Sequence, residues 1–334
     1  KRGDLMQREP FLALCKRRNF EETYVKKALE DLETFEAYLL KKDVALDQCS
    51  EVNLKDYIHD LIATDQNTLD RFLTFARYFY VVERLDLYRY FLAILGGLGV
   101  IESMKRRTAQ FTDQKTADEI FSAVAFPPIG APIEENQKAT ILLMKRMQER
   151  LPEEIFKKVL AGNHHEIPSE KFEESKNKFK ELNGDIDAFL KYRHEQQVAE
   201  LDDYCRQGKI WYEQILTPET VAFVRDHPEI QGGVREGNVI YLTKIPFEPQ
   251  KYIDETDPDI KRYYACHCPF VRASLLTNDE RVIPEWCYCS AGFEKQLFDT
   301  IYERELPIKV LETPFMGDLR CRFAIYIDEE EVSK

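Results

Sequence analysis

Hydrophobic residues in the first two thirds of the chain recur at three- and four-residue steps, the spacing of one face of an α-helix. The clearest stripe, in residues 19–43, consists of Val25, Leu29, Leu32, Phe35 and Leu39. Residues 67–83 are so rich in aromatic side chains that we expect them to form a central, buried helix. The pattern predicts helices up to about residue 235.

The pattern changes after Gly232–Gly233, where β-branched and aromatic residues follow one another in short runs separated by turn residues. These runs predict strands within residues 237–247, 263–271, 306–313 and 319–327. One clear helical pattern, at residues 292–305, lies among them. The predicted fold class is therefore α+β, with mostly helical N-terminal two thirds and a C-terminal α+β domain around an antiparallel sheet.

A loop with three prolines within residues 116–136 is a candidate domain boundary. Together with the change of pattern near residue 235, it predicts three parts. These are a helical bundle domain at 1–125, a second helical region at 126–235, and an α+β domain at 236–334. The last would bind a small molecule and would contain a cysteine cluster.

The charge of the chain narrows the classes of partner. The 334 residues carry a net charge of −13. Residues 1–110 are balanced, so the whole acidic excess falls on 111–334. That distribution argues against non-specific binding to nucleic acid or to an anionic membrane surface, since both require basic residues. No run of eighteen apolar residues exists, so we expect no membrane span.

Cysteine usage bears on the cellular setting. Eight cysteines in 334 residues are too sparse for a secreted disulfide scaffold, which favours a reducing, cytoplasmic location. The aromatic surplus of the helical region would fit a homodimer.

Half of the cysteines lie close together, in the segments YYACHCPFVR (263–272) and WCYCSAGF (286–293). Side chains at positions i and i+2 of a strand share a face. If both segments are strands lying side by side, four thiols converge and could hold a zinc ion. The predicted metal ligands are Cys266, Cys268, Cys287 and Cys289. Structural zinc sites more often use two residues between paired cysteines.

The second interpretation is a reactive thiol. Cys289 stands at the start of a predicted helix, where free N–H groups and the helix dipole lower the pKa of a thiol. Cys289 or Cys268 would be the nucleophile and His267 a possible acid or base, although strand alternation turns this histidine away from the thiols. The predicted substrate-binding residues are Arg262, Arg272 and Lys244.

The third interpretation is a structural one, since free cysteine is among the most buried residue types. Cys321 alternates with apolar residues along residues 319–327, so we expect it to be part of the core. The neighbouring His164 and His165 follow a predicted helix end, where they would interact with the helix dipole or cover a site. No nucleotide-binding, zinc-protease or serine-hydrolase motif is present.

The last hundred or so residues resemble a known group of proteins. The motif Cys268-Pro269-Phe270, the pair Cys287 and Cys289, and the closing segment 312–323 are similar to L-2-amino-thiazoline-4-carboxylic acid hydrolase-like proteins. That group in turn resembles the 4-vinyl reductase domain, a small-molecule-binding α+β module. The whole chain resembles an uncharacterised bacterial family that shares the CHCP and CYCSAGF elements. The resemblance implies hydrolysis of a small ring compound.

Residues 19–92 resemble the helical core-binding domain of tyrosine recombinases. However, no recombinase catalytic domain follows, and the segment is neutral rather than basic. DNA binding by this bundle is therefore a minority interpretation.

The function that these observations predict is a small-molecule-binding protein with a cysteine-rich site. It would be a thiol-dependent hydrolase acting on a C–N or C–S bond of a small anionic or sulfur-containing substrate. The alternative is a non-catalytic ligand sensor or a zinc-stabilised interaction protein. Sequence alone does not decide whether the protein is an enzyme. Zinc is the only cofactor that the sequence indicates.

Overall fold

The computed structural model describes residues 7–277 and 282–328. Its fold is α+β, as predicted, with many helices in the N-terminal part and a four-stranded antiparallel sheet in the C-terminal part. The chain divides into two compact units. One unit runs to Gly96 and includes Pro127–Glu135, and the other comprises Gly97–Phe126 and all that follows from Asn136.

The first unit is a bundle of five helices whose apolar stripes meet in one core. The helices are α1 (Arg8–Arg17), α2 (Glu22–Leu40), α3 (Glu51–Ala63), α4 (Leu69–Val81) and α5 (Leu85–Leu95). In α2 the predicted stripe faces this core: Leu32, Phe35 and Leu39 are inaccessible to solvent, and Val25 and Leu29 are partly buried. Helix α3 begins after Ser50, whose side chain caps the helix by accepting a hydrogen bond from the backbone N–H of Asn53.

The second unit begins with seven helices. They are α6 (Val100–Phe111), α7 (Gln114–Phe121), α8 (Asn136–Arg150), α9 (Glu153–Leu160), α10 (Glu173–Glu181), α11 (Ile186–Arg206) and α12 (Pro218–Asp226). Helix α12 begins with Thr217 as its cap and Pro218 in the first turn. Helices α8 and α9 are separate because Pro152 cannot continue a helix from α8 and instead stands at the start of α9.

The rest of the second unit contains the sheet and three further helices. The strands are β1 (Val234–Glu236), β2 (Val239–Thr243), β3 (Ile308–Glu312) and β4 (Arg322–Tyr326), in the order β1-β2-β4-β3. The helices are α13 (Pro249–Asp254), α14 (Pro258–Ala265) and α15 (Tyr288–Tyr302). In the core between α15 and the sheet, Phe298 packs with Ile240 of β2 and Ile325 of β4.

One predicted strand is wrong. Residues 263–271 comprise the end of α14 and a loop. The reason is local: Asp257 caps the helix by accepting two backbone N–H bonds, and Pro258 occupies its first turn. The helix ends at Cys266 in an extended conformation, shortly before Pro269. The other three predicted strands are confirmed, and the polar strand β1 lacked a sequence signal.

Among the described residues, one stretch, Leu85–Phe111, is long and apolar enough to cross a membrane. Core helices of soluble proteins meet the same criterion. In the structure the stretch comprises α5 and α6, which are separated at Gly96–Gly99.

His164 is a buried group that makes stability depend on pH. Its ring is only 2% exposed, with Nε2 donating to the Val159 carbonyl at 2.7 Å and Nδ1 lying 3.2 Å from Ser103 Oγ. Burial, together with the nearby Arg107 charge, lowers the pKa of His164 to about 4, although the hydrogen bond to the Val159 carbonyl opposes this shift. The ring is therefore neutral in the folded protein at neutral pH.

We expect protonation of this histidine to lower the free energy of unfolding by about 3 kcal/mol as the pH falls from about 6.5 to about 4. The figure follows from about 1.4 kcal/mol for each unit by which the pKa is shifted. The loss follows because the unfolded chain takes up the proton near pH 6.5 and the folded chain does so only near pH 4. Urea unfolding across this range measures it. His164→Gln should make the dependence shallower than in the wild type, and His59→Gln, at an exposed position, should not. If the free energy of unfolding depends on pH equally in the wild type and in His164→Gln, the lowered pKa of His164 is not the cause of that dependence.

Candidate functional site

Five of the eight cysteines gather in one region of the second unit. Cys266 and Cys268 follow α14, Cys287 and Cys289 stand at the start of α15, and Cys321 directly precedes β4. Four of them are buried, and Cys268 is half-buried. Burial raises the pKa of each buried thiol, and the charge of Cys268 raises all four further. The charge of Cys268 thus acts on every other member of this thiol cluster.

The zinc prediction assumed that each cysteine pair lies on a strand, and this assumption is wrong. Cys266 and Cys268 lie on a helix end and a loop, and Cys287 and Cys289 lie on helical turns, so neither pair occupies a strand. In residues 7–277 and 282–328, no three His, Cys, Asp or Glu side chains are arranged to hold a metal ion. Zinc binding by the four predicted cysteines stays a prediction, which elemental analysis of protein purified without chelator would test.

Cys268 differs from its neighbours in the donors around its sulfur. The indole Nε1 of Trp286 donates a hydrogen bond to Cys268 Sγ at 3.1 Å. Burial raises the pKa of Cys268, whereas this bond, the backbone N–H groups of Phe270 and Val271, and the Lys244 charge lower it; the net pKa stays above its ordinary value. The surroundings therefore contain four features that favour a thiolate once it forms.

Cys289 stands where the sequence predicted, in the first turn of α15. Its environment is less favourable than the helix start implied. Burial raises the pKa of Cys289, the charge of Cys268 raises it further, and only Lys244 opposes them. The helix N-terminus therefore does not make Cys289 a ready thiolate.

Lys244 extends from the end of β2 toward α15. Its Nζ lies 3.2 Å from Ser290 Oγ and 3.4 Å from Glu294 Oε1, and the Lys244 and Glu294 side chains are only 11% and 5% exposed. Burial lowers the pKa of Lys244, but Glu294 and the neighbouring Cys321 raise it more, so the net pKa is above its ordinary value. Lys244 is therefore a buried cation at neutral pH, beside the thiol cluster.

His267 is turned into the fold. Its Nε2 lies 2.7 Å from the Ile245 carbonyl and donates to it, and its ring packs edge-on against Phe247. Burial, with the charges of Lys244 and Arg272, holds the pKa of His267 well below its usual range. The ring is therefore neutral, with Nδ1 left unprotonated.

The two predicted arginines have structural partners. The Arg272 guanidinium lies between the rings of Phe247 and Tyr263, 4.0 and 4.1 Å from their centroids, and its Nε donates to the Tyr263 carbonyl at 3.1 Å. Arg262 forms an ion pair with Asp259 and donates to the Gly317 carbonyl at 3.3 Å. Binding of a substrate carboxylate by either residue stays a prediction.

Sequence reasoning missed several members of the site. Ser290 and Glu294 are four residues apart on α15 and so lie on one face, but the helical pattern predicted at 292–305 did not include Ser290. His165 packs edge-on against Phe293, whose ring also lies 5.2 Å from Lys244 Nζ. Burial lowers the pKa of His165, and the Lys244 charge lowers it further.

Two surface grooves lie near the sheet. The first, of about 430 Å³, is bordered by Lys244, Thr243, Glu229, Tyr252 and Arg320, among others. The second, of about 390 Å³, lies along α11 and β1 and includes His194 and Arg235. None of the residues that border these two grooves is a cysteine.

Comparison with known proteins gives one match. Residues 255–332 match a family of unknown function, DUF6144. This range contains all five cysteines of the thiol cluster but not Lys244. No curated protein and no solved structure matches the chain.

Proposed function

We propose that the second unit binds a small anionic or sulfur-containing molecule and that Cys268 is the thiol that reacts with it. The observation that carries this proposal is the hydrogen bond from Trp286 Nε1 to Cys268 Sγ, at 3.1 Å, in the centre of the thiol cluster. An indole N–H directed at a sulfur stabilises the thiolate, which is the nucleophilic form of cysteine.

The chemistry that this arrangement supports best is hydrolysis of a C–N or C–S bond by way of a covalent intermediate. The Cys268 thiolate would attack the electrophilic carbon of that bond; the C–N or C–S bond breaks, and the departing nitrogen or sulfur takes up the proton lost by Cys268. Water would then add to the same carbon, so that the bond to Cys268 breaks and one proton of the water returns to the thiolate. Lys244 supplies a positive charge that attracts an anionic substrate. The resemblance to thiazoline-ring hydrolase-like proteins points to the same class of substrate.

A second candidate function is a ligand sensor that does not turn over its ligand. The observation that favours it is the raised pKa of all five thiols in the cluster, which keeps them protonated at neutral pH. A resting enzyme with this site would need to deprotonate Cys268 when substrate binds. A sensor would not.

The proposal predicts that Cys268 prefers an anionic alkylating reagent. Iodoacetate and iodoacetamide carry the same reactive group and differ in charge. We expect the ratio of their rates at Cys268 to exceed the ratio at Cys205 by on the order of tenfold, because Lys244 attracts the carboxylate and about 1.4 kcal/mol corresponds to tenfold. Peptide mapping of one protein sample measures both ratios.

Cys205 is a matched internal control, since it lies outside the cluster and is partly exposed like Cys268. Equal ratios at the two cysteines would overturn the proposed anion preference. A thiol at Cys268 that consumes the reagent faster than free cysteine does would favour the enzyme over the sensor.

A further inference from the structure

Cys268 and Cys289 both pack in the same cluster as Trp286. Trp286 donates its indole N–H to Cys268, and it packs with both cysteines in one hydrophobic cluster. Cys289 follows Trp286 by three residues, where the short helical turn Pro284–Cys287 runs directly into α15. Residues three apart in a helix lie on the same face, so Cys289 faces the side on which Cys268 lies.

The electrostatic environment agrees with this placement. Among thiols, Cys268 alone contributes to the raised pKa of Cys289, after burial. In contrast, Cys287 is influenced most, after burial, by Cys321. Cys266 is also close to Cys268, but only one residue separates the two, and a ring closed over so short a segment is strained. Cys289 is therefore the best-placed partner for Cys268.

We propose that Cys268 and Cys289 form a dithiol pair that exchanges with low-molecular-weight disulfides. This activity shares Cys268 with the proposed function, but it requires the second thiol, which hydrolysis does not. Cys268 would attack first, because it is the half-buried member of the cluster and has the N–H donors. Cys289 would be the resolving thiol.

The reaction proceeds in two balanced steps. The Cys268 thiolate attacks one sulfur of a disulfide RSSR, forming a mixed disulfide and releasing RS⁻, which takes up the proton lost by Cys268. The Cys289 thiolate then attacks Cys268 Sγ, forming the Cys268–Cys289 disulfide and releasing the second RSH. The protein loses two electrons, and the small disulfide gains them.

Oxidised glutathione is the probe that tests this proposal. The full chain is incubated with it at about pH 8.5, near the ordinary pKa of a cysteine, so that a measurable thiolate fraction exists. We expect the loss of two thiols per chain and a peptide map that links Cys268 to Cys289. Cys289→Ser should instead retain glutathione on Cys268, and Cys268→Ser should form neither product. Cys205→Ser should leave the Cys268–Cys289 link unchanged.

The peptide map of the wild-type protein decides the question even if a variant fails to fold. A link between Cys268 and any other cysteine, or glutathione on Cys205 alone, would overturn the proposal. The reagent-charge test is independent of it: a Cys268 that prefers iodoacetate but forms no disulfide would leave the proposed function standing and remove the exchange activity.

Discussion

Replacing Lys244 with methionine should lower the free energy of unfolding by about 3 kcal/mol. The substitution leaves the Glu294 carboxylate buried without its nearest cation, and breaking a buried ion pair by removing one partner typically costs about 3–5 kcal/mol. We expect the lower end of this range because the Arg193 charge also acts on Glu294. Chemical denaturation at neutral pH measures the change.

Two controls separate this effect from general loss of a lysine. The double variant Lys244→Met with Glu294→Gln removes both charges and should regain most of the lost stability. Lys157→Met breaks an exposed pair with Glu153, which is 78% exposed, and should cost less than about 0.5 kcal/mol. A cost for Lys244→Met as small as that for Lys157→Met would show that the buried pair does not stabilise the fold.

Replacing Gly292 with alanine should destabilise the protein by about 3 kcal/mol, the upper part of the usual range for overpacking. A Cβ atom at Gly292 would lie 2.5 Å from the carbonyl carbon of Ala161 and 2.5 Å from the carbonyl oxygen of Gly162. These are backbone atoms, so relief requires α15 or the turn after α9 to move. That movement would also shift Ser290 and Glu294, and with them Lys244. Thermal or urea unfolding measures the loss.

Gly97→Ala is the matched comparison. A Cβ atom there would also be too close to a neighbour, 2.7 Å from Phe270 Cζ, but that atom is the tip of a side chain. A ring can turn aside more easily than a backbone can move, so Gly97→Ala should cost less than Gly292→Ala. The reverse order would contradict the close packing assigned to the start of α15.

The fold was predictable to the extent that local pattern decided it. Strands β2, β3 and β4 and most of helix α15 coincide with the runs from which they were predicted. The strand predicted at 263–271 was wrong because the aromatic and apolar residues there suit a strand, whereas Asp257 and Pro258 start a helix that continues into this segment. Capping and turn chemistry overrode composition in that segment.

The site was predictable only in part, since much of it depends on contacts between distant residues. Four members of the thiol cluster lie within 24 consecutive residues, so their clustering follows from their closeness along the chain: Cys266, Cys268, Cys287 and Cys289. Cys321 joins them because β4 lies beside β2, with Lys244 N–H donating to the Cys321 carbonyl at 3.0 Å. Strand order and the partner of a buried lysine are long-range properties, and the alternation that correctly buried Cys321 carried no information about them.

The order in which the five cluster thiols are alkylated tests the central claim most directly. Folded protein is treated with limiting iodoacetamide at mildly alkaline pH, quenched at intervals and mapped by mass spectrometry. We expect Cys268 to be modified before Cys266, Cys287, Cys289 and Cys321, because it alone among them is half-buried and its thiolate accepts the Trp286 N–H. The other four should react only under unfolding conditions. Modification of another cluster cysteine before Cys268, or protection of Cys268 until the protein unfolds, would contradict its assignment as the reacting thiol.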